Sequence, residues 1–322
     1  MKTSFYILNL WLLPLFCFCQ YNSKQTDWQK DNLVGNVKTL KQTYYYAKET
    51  DGKIIQGAMY YKYDYNYLKT YNNKGFLIEK TIYNGDTLNG KYHPESLNYR
   101  MVFIYDDRGN LITRKTYLYN DSLNCETKYL YDAKGNLIAF NFFYVKYNLI
   151  IKGDSNSYNS FGNRVETKEY NEDGSQRDRY VYRHDSIGNI IEWKAYDEKD
   201  VLDARYKCKY DSSGNIIKRS SFLSDTCFLE EDSCVYDYET YTYDKKRNLT
   251  GYNKYKGSGQ IYSRSNYKYD EKNNLVEDIG VFGDFSTIDT FTYEYDNKGN
   301  WIKKMVYEHR EYIVITRKIE YY

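Results

Sequence analysis

The chain has 322 residues, with 46 Lys and Arg against 44 Asp and Glu, 43 Tyr and only 2 Pro. So even a charge balance argues against a nucleic-acid partner, which needs a surface of one sign. Scarce Pro and abundant Tyr suit a continuous hydrogen-bonded sheet rather than helices or linkers.

In chain order, residues 1–19 read as a secretory signal: Lys2 supplies the charge, Phe5 to Phe18 the apolar stretch, and Cys17 and Cys19 the small residues before a cut. The mature chain then begins at Gln20, and because Lys2 is the only charge lost it carries 45 basic against 44 acidic residues. The apolar run is shorter than a membrane span needs, so no transmembrane segment is expected after cleavage. A lipid anchor on Cys17 or Cys19 ranks second, because bulky Phe16 and Phe18 precede them. The expected location is secreted, periplasmic or cell-surface.

Residues 20–322 read as one repeat domain. Asp or Asn, two variable residues, then usually Gly and usually Asn recur ten times, with the Gly position at 35, 75, 109, 135, 162, 188, 214, 247, 273 and 299. The spacing is 26 or 27 residues in six of the nine steps, which marks an array of one unit. An Asp or Asn at the head of a type I turn accepts a backbone N–H two residues on, and Gly in the left-handed conformation lets the strands rejoin in register. Each site is therefore a hairpin turn. Asn273 tolerates that conformation, whereas Arg247 does not, so its turn is expected to be looser or differently built.

Before each turn aromatic residues alternate, as at Phe103 and Tyr105, Tyr129 and Tyr131, Tyr241 and Tyr243; after it come pairs such as Leu111-Ile112 and Ile216-Ile217. Eight residues past the Gly position an aromatic returns, at Tyr117, Tyr196 and Phe222 among others. Period two gives strands with one aromatic face and one wet, charged face. Longer steps place insertions near 48–58, 84–97 and 222–236. The last insertion holds Cys227 and Cys234, close enough in an exported chain for a local disulfide. Cys125 and Cys208 lie about three repeats apart and read as buried thiols unless the sheet closes on itself.

Two strands per turn give about twenty strands, and open twisted sheets rarely exceed roughly ten before they curl or close. The expected fold is an all-β, antiparallel β-hairpin repeat array curled into a spiral strip, half-shell or closed barrel-like tube, with the aromatic face inside.

The repeated Tyr-Asp-x-x-Gly-Asn-Leu-Ile at 105–112 and 131–138 and, with Ile for Leu, at 210–217 resembles the YD repeat of Rhs-type proteins. That resemblance implies a β-hairpin array forming a strip or shell, with roles in surface recognition, carbohydrate binding or toxin encapsulation. The closing Asp-Pro-x-Gly motif of the large shells is missing from this sequence.

No residue set names a reaction. His93, His184 and His309 fall in separate repeats, which disfavours a metal site, and the recurrent Asp residues are turn residues rather than catalytic pairs. The expected function is a non-enzymatic binding scaffold without cofactor, with a glycan or surface protein as partner and Trp193 and Trp301 as contact residues. Core filling beside the Leu/Ile pairs is the competing role for each, and for Trp301, in the first apolar slot after its turn, the preferred one. The rival function is a structural or assembly component, or the shell remnant of a toxin-type system.

Overall fold

The repeated turn is built by its own first residue. In the computed structural model, which describes residues 25–60, 66–83, 86–88, 91–93, 97–223, 235–308 and 311–322, Asp106 N–H donates to Asn110 O at 2.9 Å and Gly109 N–H to Asp106 O at 3.0 Å. The Asp106 carboxylate accepts both the backbone N–H of Asn110, at 2.7 Å, and its side-chain amide, at 2.6 Å. The final Asn of the signature thus clamps the Asp. Identical pairs hold Asp132 to Asn136, Asp185 to Asn189 and Asp211 to Asn215. All ten Gly positions have positive φ, including Arg247 at 68° and Asn273 at 66°.

Arg247 corrects the expectation of a different turn. Its N–H reaches Asp244 O at 3.0 Å and Asn248 is clamped to Asp244 as elsewhere. Its guanidinium donates to Ser213 O of the preceding turn at 2.6 Å, a bond that offsets part of the left-handed strain of about 1 kcal/mol.

These turns connect an antiparallel meander. A short helix, α1 (Asp27–Lys30), precedes β1 (Val37–Thr50), β2 (Lys53–Met59), β3 (Asn66–Tyr71), β4 (Leu77–Tyr83), β5 (Asp86–Leu88), β6 (Lys91–His93) and β7 (Leu97–Tyr105). Then follow β8 (Leu111–Leu118), β9 (Leu123–Tyr131), β10 (Leu137–Tyr144), β11 (Leu149–Tyr158), β12 (Arg164–Tyr170), β13 (Gln176–His184), β14 (Ile190–Tyr196) and β15 (Leu202–Tyr210). The remainder are β16 (Ile216–Leu223), β17 (Asp237–Tyr243), β18 (Leu249–Lys256), β19 (Ile261–Tyr269), β20 (Leu275–Phe282), β21 (Phe285–Tyr295), β22 (Trp301–Glu308) and β23 (Glu311–Tyr321).

Among the described residues, 20 strands form a closed barrel: β1 pairs with β3, the chain of neighbours runs through β4 and β7 to β23, and β23 returns to β1. Closure removes the free edges that an open sheet of this size would leave. The extra strand is β2, which pairs with the far half of β1. The stretch expected as an inserted loop near 48–58 is therefore a hairpin, turned by Asp51 and Gly52 at φ 52° and 71°. Within 84–97, among the described residues, β5 and β6 pair only with each other. Cys227 and Cys234 lie outside the described residues. Cys208 is buried and Cys125 half-buried, and both are free thiols.

The expectation of a single aromatic face also needs correction, because each repeat contains a bulge. Tyr105 pairs with Leu111 and Ile104 with Thr113, so Ile112 is an extra residue opposite no partner. The same shift leaves out Ile138, Ile191 and Ile217. One inserted residue flips every later side chain to the other face. Hence Tyr117, Tyr196 and Phe222 point away from the turn tyrosines and lie instead under Arg100, Arg179 and Arg205, at 4.5, 4.1 and 5.4 Å.

The turn tyrosines find their hydroxyl partners in the preceding repeat. Tyr131 donates to Leu111 O, Tyr158 to Leu137 O and Tyr210 to Ile190 O, the first two at 2.9 Å and the third at 2.7 Å. Each acceptor is the first residue after a turn, two positions ahead of the ladder to the next strand, which begins at Thr113, Ala139 and Glu192. The tyrosines staple one repeat to the next.

Candidate functional site

The face carrying the turn tyrosines is the dehydrated one. Burial pushes the hydroxyls of Tyr131, Tyr180 and Tyr293 up to about 12, and the Cys208 thiol up to about 11. In a closed sheet the face with more protein around it is the concave one, so these side chains line the interior. Both faces are charged: Arg219, Glu239, Lys69 and Arg317 share the tyrosine face, and Glu166, Arg179, Glu192 and Arg205 the other, as the strand registers require.

On the interior wall from β13 to β18 the register sets Tyr182 opposite Trp193, Trp193 opposite Tyr206, and, one row nearer the repeated turns, Cys208 opposite Arg219, Arg219 opposite Glu239 and Glu239 opposite Lys254. Trp193 and Tyr206 stack face to face, 4.6 Å between centroids and 11° between planes. Three strands along, Glu239 is 7% exposed and takes four hydrogen bonds: Arg219 Nε at 2.7 Å and Nη2 at 2.6 Å, Tyr241 hydroxyl at 2.6 Å and Tyr252 hydroxyl at 2.9 Å. Its neighbour Asp237 accepts from Ser221 Oγ and sits 3.7 Å from Lys254 Nζ. Burial, followed by the Glu239 charge, drives the Tyr241 and Tyr252 hydroxyls well above the usual phenol range, so both stay protonated donors, although the Arg219 charge opposes this.

This wall combines a stacked aromatic pair with fixed carboxylates, a guanidinium and phenol donors. Such a set can stack the apolar face of a ring and hydrogen-bond its polar edge. Within it Glu239 is saturated by donors, and burial keeps the Cys208 thiol protonated.

Of the two tryptophans expected as contact residues, Trp193 belongs to this wall and Trp301 does not. Trp301, at the start of β22, lies eight strands further round the ring. The Arg317 guanidinium covers its ring at 3.6 Å, and Tyr293 meets it edge-on at 6.1 Å. Arg317 is in turn held by Gln42 Oε1 at 2.9 Å. Trp301 therefore packs within the wall near the β23–β1 junction. Glu239 and Arg219 gave no signal of their own in the sequence, because one carboxylate among 44 acidic residues is distinguished only by register and burial. Trp28, in α1 and outside the repeat pattern, packs against the buried cluster of Val37, Leu40 and Tyr71.

No protein-family model and no curated protein matches this sequence. Among solved structures, the TcdB2–TccC3–Cdc42 complex is similar over 83% of this chain at 14% identity and TM-score 0.41, and the Tc holotoxin pore of Photorhabdus luminescens over 83% at 13% and 0.40. This chain spans only 15% and 17% of those two chains. A porin-like protein from Bacteroides uniformis is similar over 89% of this chain and 99% of its own, at 12% identity and TM-score 0.38. These scores are too low to carry an argument, and the fold stands on the strand pairing itself.

Proposed function

We propose that this protein is a non-enzymatic, secreted or envelope-associated scaffold whose concave wall binds a polyhydroxylated ligand of the glycan type. The observation that carries the reading is the Trp193–Tyr206 stack beside the Arg219–Glu239 pair and Asp237. Sugars are recognised by an aromatic plane under their C–H face and by planar polar groups at their hydroxyls. A membrane-spanning role is disfavoured by the charges on both sheet faces, since a spanning barrel shows lipid an apolar band roughly 25 Å tall. No described helix is long and apolar enough to cross a membrane.

The test is a glycan array and polysaccharide pull-down with parent and Trp193→Ala protein. Binding to a defined sugar class, weakened tenfold or so by the substitution, is the expected result. No binding to any sugar, with the two proteins indistinguishable, would sink the reading.

The second reading is an assembly or shell component, in keeping with the YD-repeat resemblance. It is favoured by apolar side chains at strand ends remote from the repeated turns: Tyr147 and Ile150 on one side, Phe282 and Phe285 on another, all at least 63% exposed. Size exclusion and cross-linking separate the two. A strictly monomeric protein with no partner in an envelope extract rules assembly out.

A further inference from the structure

Every internal repeat has the same junction. The residue before the turn, Tyr in all but His184, pairs with the first residue after the turn, the next pair skips one residue, and the following residue donates its N–H to the last residue of the turn, Asn in all but Phe76: Tyr105 with Leu111, Ile112 skipped, Asp106 to Asn110. The contact between β23 and β1 repeats this geometry with residues far apart in sequence. Tyr321 pairs with Val37, Glu320 with Thr39 so that Lys38 is skipped, and Tyr322 N–H donates to Asn36 O at 2.9 Å. Gly35 has φ 83°, and the Tyr321 hydroxyl bonds Asp296 as the Tyr295 hydroxyl bonds Asp270. Set end to end, Tyr321 and residues 32–36 spell Tyr-Asn-Leu-Val-Gly-Asn, a complete signature.

We infer that the barrel is closed by one repeat divided between β23 and the segment before β1, and that α1 is the clasp that fastens this segment to β1 and β3, in place of the covalent turn this junction lacks. The contacts fit that task. A capping box starts the helix, with the Thr26 side chain and Gln29 bonding each other's backbone. Trp28 then donates Nε1–H to Val37 O at 2.8 Å, and its backbone N–H to Gly75 O at 3.2 Å. Gly75 must be bare for this, because a Cβ there would lie 2.6 Å from the Trp28 ring. Asp31 grips β3 through Lys69 Nζ at 2.5 Å and the Tyr71 hydroxyl at 2.6 Å. From the other side of the junction, Asn300 holds Val34 by both its N–H and its carbonyl, each at 2.8 Å. In six other turns the amide of the signature Asn clamps the Asp of its own turn; here it has been turned to the seam instead.

The experiment is hydrogen exchange on the full chain carrying Trp28→Ala and Asp31→Ala, with and without a disulfide engineered across the seam by Thr39→Cys and Glu320→Cys. Those two residues are directly paired and their side chains already touch at 3.0 Å, and cross-strand Cα spacing suits a disulfide. With the clasp removed and the disulfide reduced, amides of β1 and β23 should exchange roughly tenfold faster or more, while those of β12 to β15 keep their protection. Oxidation should restore the seam without α1. A clasp variant that folds only when oxidised gives the same answer. Unchanged seam protection, uniform loss over all strands, or no rescue by oxidation would each overturn the inference.

Discussion

The Glu239 network offers the sharpest test of the interior wall. Glu239→Gln removes the charge while keeping the shape, so the amide meets Arg219, Tyr241 and Tyr252 with one acceptor where there were two. Breaking a buried ion pair costs about 3–5 kcal/mol. The Glu239 side chain is 10% exposed but that of Arg219 32%, which brings the expectation down to about 3 kcal/mol. With about 2.1 cal/mol/K of unfolding entropy per residue, a chain of this length loses roughly 1.5 °C of Tm per kcal/mol, so a drop of about 5 °C is expected by thermal circular dichroism. Tyr252→Phe, which deletes one charge-assisted hydrogen bond, should cost about 1.5–3 kcal/mol. A cycle of Arg219→Met and Glu239→Gln should show coupling of about 1–3 kcal/mol. A Glu239→Gln protein as stable as its parent, or coupling near zero, would mean that water already solvates this carboxylate, and the wall would not be the fixed polar surface described.

Other expectations follow from the repeat. Tyr131→Phe and Tyr210→Phe should each cost about 1 kcal/mol in denaturant unfolding, whereas removal of an exposed hydroxyl such as that of Tyr147 should cost nothing. Arg247→Asn should be neutral or stabilising by about 0.5 kcal/mol, since Asn273 holds the same conformation in the next turn; a loss above about 1 kcal/mol would show that the Ser213 contact outweighs the strain. For Asp270 and Asp296 burial pulls the pKa upward, but the hydroxyls of Tyr295 and Tyr321 and the turn N–H groups outweigh it and hold both below the ordinary carboxylate value. Their contribution is therefore full at neutral pH and lost as the pH falls through those depressed values. Asp278 has the opposite sign, raised first by burial and then by Asp289 opposite it across β20 and β21. Its protonated form is favoured in the folded state, so Asp278→Asn should stabilise at pH 7 and make little difference below about pH 4. Equal effects at both pH values would refute that assignment.

The sequence by itself determined what depends on short-range geometry. Asp or Asn followed by Gly three residues on dictates a turn wherever it occurs, because the carboxylate or amide, the amides it binds and the positive φ all lie within five residues. Even Arg247 obeys once Asp244 and Asn248 close around it. The count of about twenty strands and the need to curl follow from the same repeat. Tertiary structure decided what depends on register and on residues far apart. One bulged residue per repeat, as at Ile112, decides which aromatics face inward, and strand periodicity read across the turn misses that shift. Glu239 and Arg219 meet only because β16 and β17 align them, and Trp193 and Trp301 part because eight strands separate them. Closure itself was open between strip, shell and tube. It is resolved by Tyr321 meeting Val37 and by Trp28 and Asn300 at that seam, contacts whose free energy exists only when the whole ring has brought the first strand to the last.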